Sequence, residues 1–395
     1  MHYLELGGAE AALIGLLQTL DSSRVDVDLF LYDRRGELVE YIPDWVNVLP
    51  QIPAYQMLER PIKEVLRKGY ILLAIRRLLG KRKATKVFKK SCSDLENYST
   101  FFYAINETIK ILPKINPIIE YDLAISFLTP HHIVLDKVKA KKKLGWIHTD
   151  YTKVWIDRTE EEKMWNRLDN IISISTDVTT SFTKVFPSLR DKIIEIENII
   201  SPDFIRKRAE EKSADEIKRE LKTNISEISF LTIGRFCYPK KMEEIPYICK
   251  KLRERGIQVK WFIIGFGNEL PIRESIKRTG MQENVIILGK RSNPYPYIKA
   301  CDVYIQPSRY EGKSIVVREA QILGKPVIIT DYPTAASQIQ HGVDGFIVPM
   351  QIHECANEIY KLLKDHSSLE KIASYNRVND FGNESEVEKV YSLIE

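Results

Sequence analysis

The sequence predicts an α/β protein of two doubly wound parallel-sheet domains facing each other across a cleft. Three observations predict it. Apolar runs of strand length alternate with helix-period segments in two successive blocks. A highly charged stretch from Asn198 to Lys222, broken by Ser201-Pro202, separates the blocks. The length of 395 residues suffices for two cores of ordinary size. The expected borders are residues 1–199, residues 200–383, and a short amphipathic helix at 384–395.

In the first block the strand candidates are Val25 to Leu31, Asp122 to Phe127, Lys143 to Ile147, Ile171 to Ile174 and Ile193 to Ile196. In the second, which starts near Ile228, they are Phe230 to Ile233, Trp261 to Ile264, Val285 to Leu288, Val303 to Ile305, Val327 to Ile329 and Gly345 to Val348. Ligands of open parallel sheets bind beyond the carboxyl ends of the strands, so residues just after these runs are the candidates for function.

The most informative segment is Ser308-Arg-Tyr-Glu311-Gly312-Lys313-Ser314-Ile315, continuing to Glu319 and Ala320. It follows a strand, and an apolar helical pattern opens near Gly312. The N–H groups and dipole of a helix start suit a phosphate oxygen, whereas an ionised carboxylate accepts hydrogen bonds from neutral hydroxyls. Phosphate plus hydroxyls describes a nucleotide sugar. Continuous helix would set Glu311 and Glu319 about 10 Å apart along the axis, at 1.5 Å per residue, as two grips on one elongated ligand. Upstream, Gly234-Arg235 and Lys240-Lys241 place cations after a buried strand, where a diphosphate would lie. Gly265-Phe-Gly267 closes the next strand in the same manner, a weak signal by itself.

Gly312-Lys313-Ser314 also resembles the end of a phosphate-binding P-loop. That loop requires glycine five positions earlier, where this chain has Pro307, which has no N–H to offer and a fixed φ. The P-loop reading is rejected.

These residues together resemble family 4 of the retaining glycosyltransferases, whose fold, GT-B, has two Rossmann-like domains. The resemblance runs from Gly7-Gly8-Ala-Glu10 through Trp146-Ile-His148-Thr-Asp150 to Asp331-Tyr-Pro-Thr and Gly342-Val-Asp-Gly345. It implies that Arg235 and Lys240 hold the donor diphosphate, Glu311 the transferred sugar and Glu319 the ribose hydroxyls. It further places Gly265, Gly267, Lys290 and the backbone from Gly312 to Ile315 on the donor side, and Gly7, Gly8 and Asp150 on the acceptor and phosphate side. The closest flavour is that of bacterial enzymes building capsular, exopolysaccharide and O-antigen units on a lipid carrier. The implied activity is retaining, metal-independent transfer of a hexose-type sugar from a nucleotide sugar, with a UDP-sugar the expected donor. No cofactor or metal is expected. The alternatives are a nucleotide-sugar epimerase of similar build and a catalytically silent glycan-binding partner subunit. Lys313 and Ser314 depart from the apolar pair often found there, which leaves the donor sugar open.

His148 follows an apolar run and is expected at a strand end facing the cleft. There it would bond the transferred sugar or the acceptor, with an ordinary imidazole able to exchange a proton near neutrality. Asp150 is equally suited to capping the next segment. His131-His132 lacks a third ligand at metal spacing and is read as structural.

The net charge is only +5, yet residues 60–90 hold twelve lysines and arginines against the single acid Glu64, interleaved with Ile71-Leu-Leu-Ala-Ile and Leu78-Leu79. A basic helix with an apolar stripe has the composition of a membrane-surface anchor. Peripheral contact with the inner face of the plasma membrane is therefore expected of a cytoplasmic enzyme using a lipid-linked acceptor. Nucleic acid is not expected as a partner, because no aromatic platform accompanies the charge. No run approaches the ~20 apolar residues of a membrane span. The five cysteines are scattered without Cys-x-x-Cys spacing, which fits a reducing compartment. No signal peptide is expected before Gly7. Only Met1 to Leu6 remains to supply a first strand, so that strand is expected to be short or the natural start to lie upstream.

Overall fold

The structure, a computed structural model, describes residues 1–5, 7–93, 95–221 and 226–394. The chain divides into two compact units: residues 1–199 with 383–395, and residues 200–382.

The first unit is built on a four-stranded parallel sheet of β4 (Tyr121–Ser126), β5 (Ala140–Ile147), β7 (Asn170–Ser173) and β8 (Ile193–Glu195), in that spatial order. Two smaller parallel pairs flank it: β1 (Asp28–Leu29) with β2 (Asn47–Val48), and β3 (Glu96–Asn97) with β6 (Val154–Trp155). The strand expected over Val25 to Leu31 is thus much shorter, because Val25 N–H turns back onto Asp21 O (3.2 Å). Met1 to Glu5 lie alongside residues 30–35 through Tyr32 N–H to Met1 O (3.1 Å) and Asp33 N–H to His2 O (2.9 Å). Leu6, the end of the expected first strand, is outside the described residues.

Helix α1 (Gly8–Thr19) follows, then the long α2 (Ile71–Ser91), which packs on α3 (Ser99–Thr108). The approach is close: a Cβ on Gly80 would lie 2.5 Å from Tyr103 O, so only glycine fits there. The C-terminal helix, Val387–Tyr391, belongs to this unit; Tyr391 accepts from Asp21 N–H (2.7 Å) and Glu388 pairs with Arg24 (2.8 Å).

The second unit holds a six-stranded, wholly parallel sheet: β9 (Ile228–Ile233), β10 (Val259–Ile264), β11 (Val285–Gly289), β12 (Val303–Gln306), β13 (Val327–Thr330) and β14 (Phe346–Val348). Its spatial order is β11-β10-β9-β12-β13-β14. Alternate residues serve two cores, Phe230, Trp261 and Ile305 on one face and Leu231, Phe262 and Tyr304 on the other, as expected where helices cover both faces. The strand order reverses between β9 and β12. Such a reversal is where ligands of open parallel sheets bind, beyond the carboxyl ends of the strands.

One expectation fails here. Ser201-Pro202 does not break the chain but starts a helix, Pro202–Ala209, with Ser201 as N-cap and proline at the first turn, where its missing N–H costs nothing. A second helix, Ala214–Leu221, follows, and Ile205, Ala209, Ile217 and Leu221 are buried in this unit's core. Apart from the buried Arg208, the charges of these helices form their solvent face; Lys222 lies outside the described residues.

Candidate functional site

The loops after β9 and β12, the two that flank the reversal, are fastened together. Arg309 N–H donates to Pro239 O (2.7 Å), its guanidinium donates to Tyr238 O (2.7 Å), and it pairs with Glu243 (2.6 Å). From the other side Thr330 Oγ1 donates to Ser308 O (2.6 Å) and Thr334 Oγ1 to Glu311 O (3.0 Å). These clamps bring two of the sequence candidates into contact: Lys240 Nζ lies 2.6 Å from Glu311 Oε1. Lys241, by contrast, turns away to Met350 O and Glu244 and is structural.

Glu311 Oε1 also accepts from Ser308 Oγ (2.6 Å) and Gln306 Nε2 (3.3 Å). Gln306 and Ser308 are fully buried and bonded to each other at 2.9 Å, and Tyr304 donates to Gln306 from behind. Three donors on one oxygen fix the carboxylate's orientation, which a group meant to meet sugar hydroxyls requires. Gln306, Ser308 and Arg309 were missed as site residues. A polar glutamine ending an apolar strand, and Ser308 three residues before Glu311, were the available signals.

The loop after β10 is bound to the β9 loop by Phe236 N–H to Phe266 O (2.7 Å) and Asn268 N–H to Phe236 O (3.1 Å). Gly265 is required there: its φ is +157°, and a Cβ would fall 1.9 Å from Gly234 O. Gly267, at φ +130°, would bring a Cβ to 2.7 Å from Phe236 O. Arg235 and Lys290 both approach the Phe266 ring, at 5.8 and 5.2 Å from its centroid. Arg235 is exposed, so the β9 loop offers one solvent-facing cation beside the paired Lys240.

Helix α4 (Ile315–Ile322) begins three residues later than expected, with Ser314 as N-cap. Residues 311–314 are therefore not helical, and Glu319 stands just over one turn into the helix rather than two turns beyond Glu311. Gly312 lies in a bend but not in the left-handed region, and a Cβ there would meet nothing within 4 Å, so its position does not demand glycine. Ser314 is buried and faces Gln338, which takes its N–H (3.2 Å) and donates to its carbonyl (2.5 Å). That amide is occupied within the protein, which removes Ser314 alone from the expected cradle of N–H groups from Gly312 to Ile315. Glu319 is buried and accepts from Tyr295 O–H (2.9 Å). Burial pushes its carboxyl up to about 7, against the opposing effects of Tyr295 and Arg208.

In the first unit Gly7 is the N-cap of α1 and Gly8 its first residue. His148 follows the end of β5, its ring tilted on Phe127 (4.9 Å) and parallel to Trp146 (6.3 Å), with Phe127 and Trp146 themselves 4.7 Å apart. Burial pushes its imidazole down to about 3, and its Nε2 is buried without a partner among the described residues. The expectation of proton exchange near neutrality is thereby corrected: burial keeps the His148 ring neutral. Asp150 accepts from Thr152 N–H (2.9 Å) and Oγ1 (2.7 Å), so its carboxylate is engaged in a local turn. His131 is buried against Ser126 (2.8 Å), consistent with a structural reading. A cavity of about 630 Å³ in the second unit opens at the opposite ends of the strands, among Ser229, Asp302 and Lys325, away from these candidates.

Residues 213–379 match the family described as Glycosyl transferases group 1. The chain is 24% identical to an uncharacterised 41.2 kDa protein in the cps region of Klebsiella pneumoniae, over 71% of this chain and 77% of that one. It is 30% identical to the capsular polysaccharide biosynthesis glycosyltransferase CapM of Staphylococcus aureus, over 37% of this chain. It spans little more than a third of the length of several such relatives, 39% for CapM and 38% for the alpha-D-kanosaminyltransferase of Streptomyces kanamyceticus. Among solved structures, Anabaena HepE in complex with UDP-glucose superposes with a TM-score of 0.67 at 18% identity, over 99% of this chain and 98% of that one. WaaG, a glycosyltransferase involved in lipopolysaccharide biosynthesis, gives 0.66 at 14% identity, over 100% and 98%. These likenesses establish the GT-B fold.

Proposed function

We propose, on the premise that residues 213–379 form a group 1 glycosyltransferase domain in a chain of GT-B fold, that the protein transfers a sugar from a nucleotide-sugar donor, a UDP-sugar, to a hydroxyl of a growing bacterial surface glycan. The observation that carries this reading is the Lys240–Glu311 pair at the strand-order reversal of the second sheet. A fixed cation and an oriented carboxylate sit where the phosphate and sugar ends of one donor would meet.

In this reading Arg235 and Lys240 stabilise the departing diphosphate by fixed positive charge, without a divalent metal. Glu311 orients the transferred sugar and Glu319, presented by α4, takes the ribose hydroxyls. Retention of configuration follows from front-face attack, with the leaving phosphate receiving the acceptor proton. His148 contributes a hydrogen bond, not a charge. The acceptor is lipid-linked, and the basic 60–90 region keeps the enzyme at the cytoplasmic membrane surface.

A thermal-shift screen of nucleotide sugars, followed by transfer assays with the best binder in the presence and absence of EDTA, tests the proposal. Acceptor-dependent transfer unaffected by EDTA is expected. A changed sugar released without acceptor would mark an epimerase instead, and binding without turnover would mark a glycan-binding subunit.

A further inference from the structure

The outer side of α2 carries two adjoining surfaces. Its inner side is made of Leu73, Ala74, Gly80 and Ala84, all buried. Small residues there let the helix lie tight on α3, with Arg77 donating to Met57 O (2.6 Å) and Arg60 O (2.7 Å). The outer side is apolar over its first half: Ile71, Leu72, Ile75, Leu78 and Leu79 are between 41% and 59% exposed. Leu66, on the preceding Ile62–Arg67 helix, is 45% exposed. The second half of the same side is cationic. At about 100° per residue, Arg82, Lys86, Lys89 and Lys90 fall in the same sector of about 120° as the apolar group. All four are exposed, and none of their side chains makes an ion pair or hydrogen bond among the described residues. Arg76 and Lys83 lie to one side, beside Glu107 at 3.8 and 4.0 Å.

We infer that this outer side of α2 lies in the interface of an anionic lipid bilayer, its first half inserted among acyl chains and its second half on the headgroups. Charge decides the occupant. Four unpaired cations would repel a second copy of the same face, and a nucleic acid has no use for five exposed aliphatic side chains, whereas an anionic bilayer satisfies both halves at once. No helix among the described residues is long and apolar enough to cross a membrane, so the contact is peripheral. The inference deepens the membrane part of the proposed function and differs from a purely electrostatic patch in one respect. Part of the binding should survive high salt, because apolar insertion is not screened.

The experiment is flotation of the full chain with phosphatidylcholine vesicles, with and without phosphatidylglycerol at about one part in three, at low and high salt. Three proteins are compared: wild type, Ile75→Glu/Leu79→Glu, and Arg82→Glu/Lys86→Glu/Lys89→Glu. Wild type is expected to float far better with phosphatidylglycerol than without it and to keep a fraction bound in high salt. The glutamate pair at 75 and 79 should lose that salt-resistant fraction, and the charge-reversed triple should lose the gain that phosphatidylglycerol gives. Equal flotation on both vesicle types, or wild-type flotation by either variant, overturns the inference. So does a dimer in solution that only the Ile75→Glu/Leu79→Glu change dissolves, or displacement from vesicles by nucleic acid. A UDP thermal shift on the same samples separates the two claims. Retained UDP binding without flotation removes the membrane face alone; flotation without UDP binding removes the transfer reading alone.

Discussion

Lys240 Nζ and Glu311 Oε1 are 2.6 Å apart, so the cation and the acid proposed for opposite ends of the donor neutralise each other. A diphosphate must compete with Glu311 for Lys240. Glu311→Gln is therefore expected to tighten UDP alone by about threefold to tenfold while lowering transfer by at least about a hundredfold. Lys240→Ala should lose both. Calorimetry with UDP and a transfer assay check this; weaker UDP binding by the glutamine variant would remove the competition.

Arg309 is the fastener between the loops that carry those two residues. Its replacement by alanine removes one carbonyl contact and the pairs with Glu243 and Glu244. A loss of about 1–3 kcal/mol of stability is expected, with transfer down about tenfold and donor KM raised. Calorimetric melting and steady-state kinetics report both. Unchanged kinetics in a destabilised variant would make Arg309 a stability residue only.

Gly265→Ala should be poorly tolerated. The new Cβ collides with Gly234 O at 1.9 Å, backbone against backbone, at a φ of +157° that disfavours any side chain. About 1–3 kcal/mol is expected for the conformation alone, with further loss from the displaced β9 loop. Thermal unfolding of the variant measures it, and Gly312→Ala, placed where nothing lies within 4 Å, is the mild control.

Glu319 gives the pH dependence. Its folded carboxyl titrates near 7 against an ordinary 4.5, so between those values the folded protein holds a proton that the unfolded chain has lost. Its contribution to stability is full below about 4.5 and falls as pH rises towards 7. Glu319→Gln should flatten part of that decline in a melting series; Glu161, also raised to about 7 by burial, retains the rest. With Tyr295 on Oε1, the ionised form accepts ribose hydroxyls better, so UDP should bind more tightly as pH rises through 7. Calorimetry in buffers of differing protonation enthalpy should detect proton release on binding.

His148, held near 3, should place no inflection in the rate profile between pH 6 and 8. His148→Gln is expected to slow transfer about tenfold, as loss of one hydrogen bond would, leaving the shape of the profile unchanged. A profile whose inflection near 6.5 vanishes in the variant would restore the titrating histidine.

The sheet of the second unit was readable because its strands are buried on both faces and stand out as apolar runs. Every run expected from Phe230 to Val348 coincides with a strand to within a few residues. The first unit was less legible at Val25 to Leu31, where hydrogen bonding, not hydrophobicity, decides which residues pair. Glu311 and Lys240 were visible as polar residues after strands. Their mutual contact was not, since it depends on Arg309 joining residues 65 and 71 positions away, and no local pattern encodes that. The late start of α4 was hidden for a similar reason: Gln338, far along the chain, holds Ser314 out of the helix.

The first unit is assembled from two stretches that lie at opposite ends of the sequence, with Asp21 and Arg24 meeting Tyr391 and Glu388. During synthesis, residues 200–382 can mature as soon as they leave the ribosome, because all their partners are contiguous. The older, amino-terminal unit has to wait with that surface at Asp21 and Arg24 uncovered until the Val387–Tyr391 helix emerges. Translation order and order of completion are thus reversed, and a chain interrupted just after residue 382 would have its first unit, not its second, left unfinished.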